Sequence, residues 1–171
     1  VWEALWQEAQ KYEACAYGTE AMHVLRAEKG FIIVGQDTDG TVTPHDLGMD
    51  WAIGKAKPDF VGKRSLMRPD LVTPDRPQFV GLLTQDPHFV PDEGAQIVTT
   101  ANPEHGSPAS GFVTSAYMSA TLGRSIALGL VVSGRNRLGE TIYITRLDGN
   151  AVPAILVDPV FYDKEGVRLD A

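Results

Sequence analysis

Glu28 is the residue in this 171-residue chain whose type and setting best suit ligand recognition. It stands in the run His23 to Trp51 (HVLRAEKGFIIVGQDTDGTVTPHDLGMDW), one helical turn beyond Leu25 and two residues before Gly30. That spacing aims its carboxylate at a helix–strand junction among apolar residues, where an ionised group is costly unless donors meet it. Two kinds of partner satisfy the requirement. One is an arginine of the chain, Arg26 or Arg64; the other is a ligand edge that presents two N–H donors. The residues alone leave both open.

Other chemistry is argued against by spacing. His23, His45, His88 and His105 show no His-x3-His pattern and no neighbouring cysteine pair, so no zinc site is expected and each histidine reads as a surface or capping residue. Cys15 falls in the last turn of an amphipathic stretch, which predicts packing rather than nucleophilic use. The Gly106-Ser107-Pro108 and Gly134–Gly139 segments are too short and wrongly placed for a phosphate loop. A net charge of −7 argues against a nucleic-acid partner, which needs a basic stripe. No apolar run approaches the ~20 residues of a membrane span, and no secretory leader is visible. A lone cysteine forms no internal disulfide, which predicts a reducing, cytoplasmic setting.

The elements that must position Glu28 follow from periodicity. Trp2, Leu5, Trp6, Ala9 and Tyr12 form a helical stripe, expected to pack in a core and to end near Tyr17-Gly18. The chain opens directly on this pattern, without Met, which predicts a piece of a longer polypeptide. Thr19 is expected to cap a second helix, buried through Ala21, Met22 and Leu25 and closed by Gly30. Phe31–Val34 and Met49–Ile53 read as strands; Thr43-Pro44 reads as a helix start and Asp59–Met67 as a further short helix. Residues 68–77 (RPDLVTPDRP) hold three prolines and no period, so a boundary is placed there, dividing 1–70 from 71–171. Beyond it six strands are expected, at 78–84, 95–100, 111–117, 125–131, 141–146 and 151–157, with Asp148-Gly149 as a two-residue type I′ turn. The fold class is α+β: a helix-and-strand part followed by a small six-stranded antiparallel barrel.

The run LRAEKGFIIVGQDTDGTVTPHDLGMDWAI resembles the middle of the glycine-cleavage aminomethyltransferase (T-protein) superfamily: Leu-Arg-x-Glu-x-Gly, a Gly-x-Asp turn, a Thr-Pro start and then a Trp segment. Gly111-Phe-Val-Thr-Ser115, Leu122-Gly123, Ser125-Ile-Ala-Leu128 and Pro159-Val-Phe161 match its barrel motifs in order, so the resemblance covers nearly the whole chain. Glu28-Lys29-Gly30-Phe31 together with Phe161-Tyr162-Asp163-x-x-Gly166-x-Arg168 is most similar to the branch formed by C-terminal ends of sarcosine oxidase α subunits, which also includes dimethylglycine dehydrogenase-like proteins. Ala120 stands where the family's Ser-Pro motif has proline.

The resemblance implies tetrahydrofolate as ligand, with Glu28 holding the pterin edge and Tyr17, Phe31 and Tyr162 lining the cavity. Lys55 or Lys57, of which Lys57 is preferred, would pair with the folate glutamate tail as a point charge. It assigns no catalytic residue to this chain, because the family's first domain, with its catalytic Asp, is missing. Flavin and NAD would be held by other missing parts, and the partners would be the rest of the α subunit and the other oxidase subunits. The chain alone is then expected to be inactive. A T-protein-like aminomethyltransferase and a non-catalytic folate-binding or interaction module are the alternatives.

Overall fold

The computed structural model describes residues 1–104 and 106–169; the expectation for His105 lies outside them. Six antiparallel strands close into a barrel: β1 (Pro77–Thr84), β2 (Gln96–Val98), β3 (Gly111–Ser119), β4 (Arg124–Val132), β5 (Thr141–Thr145) and β6 (Ala151–Val157). Their order around the barrel is β1-β4-β3-β2-β5-β6. Closure leaves no free edge, so every strand is paired on both sides. The interior is filled by Val80, Leu82, Ile97, Val113, Ala127, Val131, Ile142, Ile144 and Leu156.

Strands β1 and β4 do not alternate apolar with polar residues; β4 reads RSIALGLVV. The reason is that they are covered on both faces. Ala127 and Val131 point into the barrel. Phe79, Ile126, Leu128 and Leu130 point outward and pack against Ala27, Val24, Ile32, Val42 and Leu47 of the chain's first part. A strand buried on two sides reads as a continuous apolar run. The part of the chain before β1 therefore covers one wall of the barrel through Val24, Ala27, Ile32, Val42 and Leu47.

That cover is more irregular than its sequence predicts. Helix α1 (Trp2–Ala9) buries none of its residues, ends well before Tyr17-Gly18, and is followed by a 3-10 turn and by Glu13 in the left-handed region (φ 55°). Its tryptophans stack on each other at 6.0 Å rather than enter a core, and Trp2 and Leu5 stay 67% and 62% exposed. Cys15 is exposed. Helix α2 (Thr19–Glu28) is capped by Gly18, one residue before the expected Thr19, and buries Arg26, Ala27 and Glu28 instead of Met22 and Leu25. Phe31–Val34 forms no strand, since the closed barrel offers no edge to pair with. The Thr43-Pro44 start yields a single turn, closed by Gly48 at φ 72° with Met49 N–H donating to Pro44 O. Met49–Ile53 is a 3-10 turn over Asp50–Ala52, and only Ser65–Met67 of the third predicted helix forms, again as 3-10.

In the barrel all six strands stand within two residues of their expected ends, β2 being the shortest at Gln96–Val98. The β5–β6 connection differs in type. Gly149 has φ 84° and Asp148 does not share it, while Arg146 pairs with Asn150 across a three-residue loop. That is a type I turn followed by a left-handed glycine, the other common hairpin closure.

Candidate functional site

Glu28 is the last residue of α2 and is 2% exposed. Its helix ends because Gly30 takes φ 68°: Gly30 N–H donates to Ala27 O and Phe31 N–H to Arg26 O, the paired bonds of a Schellman closure. The Glu28 carbonyl then accepts from both Phe161 N–H (2.9 Å) and Tyr162 N–H (3.0 Å), so the chain's C-terminal strap is bonded to the residue that ends the helix. Lys29 Nζ reinforces the clasp by donating to Asp163 O at 2.5 Å and facing Asp163 Oδ2 at 3.3 Å. A Cβ on Gly30 would stand 2.7 Å from Pro159 O, in a backbone region L-residues avoid. Gly30→Ala is therefore expected to cost on the order of 2 kcal/mol in urea unfolding and to loosen the strap.

The Glu28 side chain meets a single donor, Ser119 Oγ at 2.6 Å, and forms no ion pair among the described residues. Arg26, the nearest cation in sequence, is committed elsewhere. Its Nη1 donates to Asp37 Oδ2 at 2.5 Å and to Phe31 O at 3.1 Å; its Nη2 donates to Ser115 Oγ at 2.7 Å and to Tyr117 OH at 3.3 Å. Arg64 makes no hydrogen bond to Glu28 either. A buried carboxylate answered by one hydroxyl is under-satisfied, and a ligand with paired N–H donors would relieve it.

The Arg26–Asp37 pair is the anchor of the cover on the barrel. Asp37 is fully buried and also accepts from Ile33 N–H (2.8 Å), Thr114 Oγ1 (2.5 Å) and Ser115 Oγ (2.7 Å). Two consecutive strand residues normally face opposite sides, but the β3–β4 register shifts between Val113 and Ser115. This bulge turns Thr114 and Ser115 to the same carboxylate. By sequence alone Asp37 is the last residue of a Gly-x-Asp turn. The Gly-x-Asp and Val-Thr-Ser motifs mark these residues separately, and nothing in the sequence brings them together.

A second buried carboxylate, Asp46, ties the first part to the linker. Arg76 grips it with two bonds, Nε to Oδ1 at 2.8 Å and Nη2 to Oδ2 at 2.6 Å, while Thr43 donates its N–H and hydroxyl. Burial pushes this carboxyl up, but the Arg76 fork and the Thr43 donors outweigh it and hold it below the ordinary aspartate value of 3.8. A carboxyl depressed in the folded state stabilises above its unfolded value and loses that contribution as pH falls through the folded one. Asp46→Asn should cost on the order of 1–2 kcal/mol near neutral pH. Urea melts should show the gap between wild type and variant closing as pH falls below 3.8.

The other predicted site residues are dispersed. Tyr162 is half-buried, bonded through its N–H to Glu28 O, with the Arg168 guanidinium 5.6 Å from its ring centre. Phe31, 60% exposed, lines a crevice of about 610 Å³ with Lys29, Trp51, Phe79, Arg135 and Lys164. Tyr17, 68% exposed, borders a different crevice beside Trp2, Trp6 and Met22. Lys57 is exposed in a loop, where its carbonyl accepts from Lys63 Nζ at 3.1 Å. The structure thus joins Glu28 with Tyr162 and leaves Tyr17, Phe31 and Lys57 without a crevice in common. Among the described residues no cluster suited to a metal ion occurs, and no helix is long and apolar enough to cross a membrane.

Residues 78–163 match the glycine cleavage T-protein C-terminal barrel domain, and residues 1–57 match the GCVT N-terminal domain. The chain is 50% identical to the sarcosine oxidase subunit alpha of Corynebacterium sp. (strain U-96), over 99% of this chain and 18% of that protein. It is 36% identical to a probable aminomethyltransferase of Halobacterium salinarum (strain ATCC 29341 / DSM 671 / R1), over 96% of this chain and 42% of that protein. The chain therefore spans a minor part of the relatives it matches. The glycine cleavage system aminomethyltransferase T from Bartonella henselae shares its fold, with a TM-score of 0.79 at 22% identity over 95% of this chain and 44% of that one. With the barrel-domain match extending over half of the sequence and the six-stranded barrel in place, the chain belongs to the glycine cleavage T-protein family.

Proposed function

We propose that this chain is the tetrahydrofolate-binding C-terminal portion of a sarcosine oxidase α subunit, organised as a cover (1–70) and a barrel (71–171). The observation that carries the reading is Glu28: buried, held by one hydroxyl, and answered by no cation among the described residues. A carboxylate so placed fits the adjacent amino and ring N–H donors of a pterin, which it can accept in a fork. The 50% identity to an oxidase α subunit, against 36% to an aminomethyltransferase, favours the oxidase over the transferase.

In this reading the parent oxidises sarcosine at a flavin held elsewhere, and bound tetrahydrofolate supplies the amines that take up the one-carbon unit as 5,10-methylenetetrahydrofolate. What this chain contributes is position. Glu28 fixes the orientation of the ring, and Tyr162, bonded to the Glu28 backbone, flanks it. Holding an acceptor where the carbon arrives replaces a bimolecular capture by a local one. The barrel, the strap and the Arg26–Asp37 anchor keep Glu28 still.

The test uses the full-length protein that contains this chain. Sarcosine turnover in the presence of tetrahydrofolate is expected to yield 5,10-methylenetetrahydrofolate in place of free formaldehyde. Formaldehyde release that is indifferent to tetrahydrofolate would overturn the proposal.

A further inference from the structure

Resting on that reading, we propose that Ser119 is the positioning residue for the Glu28 carboxylate, and that the β3–β4 hairpin thereby sets the direction in which the chain presents its ligand-binding oxygen. Ser119 is the last residue of β3 and is fully buried. Its hydroxyl has two partners with opposite roles. It accepts from Leu122 N–H at 3.0 Å, inside the turn, and it donates to Glu28 Oε1 at 2.6 Å, across to the end of α2. A hydroxyl has one proton to give. The bond from Leu122 orients the oxygen, and the proton goes to the carboxylate.

The consequence is an asymmetric carboxylate. Oε1 is held by Ser119, while Oε2 accepts no hydrogen bond among the described residues. Among the described residues the sealed side-chain atoms without partners are Arg26 Nε and Ser125 Oγ, and Oε2 is not one of them. The Glu28 backbone is already immobilised by Phe161 and Tyr162, which leaves the rotation of the side chain as the remaining freedom. Ser119 removes it. Neither charged neighbour in sequence competes, because Arg26 is bonded to Asp37 and Lys29 to Asp163. The arrangement also places the constraint on the barrel rather than on the helix that bears the carboxylate. Barrel and cover must therefore be docked for the site to be correctly aimed.

A double-mutant cycle with tetrahydrofolate as titrant tests this, using the unaltered chain, Ser119→Ala, Ser119→Thr, Glu28→Gln and the Ser119→Ala/Glu28→Gln pair. Ser119→Ala is expected to weaken binding roughly tenfold, the loss of one charge-assisted donor. Ser119→Thr retains the hydroxyl and should bind within about threefold of the unaltered chain. In the Glu28→Gln background, Ser119→Ala should add little, because its effect runs through the carboxylate. Equal losses in both backgrounds would make Ser119 merely structural and overturn the proposal. A crystal structure of Ser119→Ala gives a folate-independent check: the Glu28 carboxylate should turn away from its present direction. If the unaltered chain binds no tetrahydrofolate, the folate reading falls. The positioning role is then decided by that structure, in which an unmoved carboxylate overturns it.

Discussion

Asp37→Ala is expected to destabilise the chain more than any other single change considered, by about 3–5 kcal/mol. The carboxylate is fully buried, and its removal leaves the Arg26 guanidinium, itself 9% exposed, without a countercharge. Thr114 and Ser115 would lose their common acceptor as well, and Ile33 N–H its partner. Such a cost is a large share of the ~5–15 kcal/mol that holds a domain of this size together. Asp37→Asn should be nearly as damaging, because the amide has no charge and turns a donor toward groups that are already donors. Urea denaturation monitored by tryptophan fluorescence and far-UV circular dichroism measures it. The two probes need not agree. All three tryptophans lie in the first part of the chain, so the fluorescence transition is expected to move further than the barrel signal. A loss below about 1 kcal/mol in both probes would mean that the pair does not anchor the cover.

Glu28→Gln is the second large effect, and it falls on binding. Glutamine preserves the size and shape of the side chain, so the fold should be little altered. The amide NH2 replaces the second oxygen and meets the ligand's N–H donors with another donor. Removing one member of a charge-assisted pair is worth about 2–3 kcal/mol, which is roughly a 30- to 150-fold loss of affinity. If the proposed function holds, the same substitution in the full-length parent shifts product from 5,10-methylenetetrahydrofolate to free formaldehyde and leaves sarcosine oxidation in place.

The barrel was legible because short β-rich runs between Gly, Pro and Asp turns have few other solutions, and closure explains why six of them need no protected edge. Even β4, which lacks alternation, was recognisable as a strand; only the structure shows that its second face is covered by Ala27 and Ile32. The cover was harder to read for a related reason. Phe31–Val34 has strong β propensity, but propensity needs a partner strand, and a closed barrel supplies none. Its backbone is satisfied instead by the Asp37 turn, with Asp37 N–H and Gln36 N–H donating to Ile33 O. Likewise the Trp2–Trp6 stripe has helical period without a core to enter, and so it stacks on itself at the surface.

The sequence places Glu28 at a helix end beside apolar residues and the structure buries it there; the ligand proposed for it comes from the motif resemblance. Ser119 and Asp37 were not visible as partners. They meet Glu28 and Arg26 from sequence separations of 91 and 11 residues, and nothing local in the chain announces either contact. The bulge at Thr114 is equally silent in sequence, since it is a property of how two strands pair rather than of either strand. Arg26 is one of the two arginines expected as a partner for Glu28; the helix places the two side chains two residues apart, on diverging faces, and Asp37 takes the guanidinium instead.

Calorimetric titration of this chain with tetrahydrofolate decides whether the Glu28 carboxylate holds the pterin edge of a reduced folate. Saturable binding is expected for the unaltered chain and an affinity lower by about 30- to 150-fold for Glu28→Gln, with the two proteins melting alike. Binding of equal strength by both proteins, or none by the unaltered chain, would contradict it.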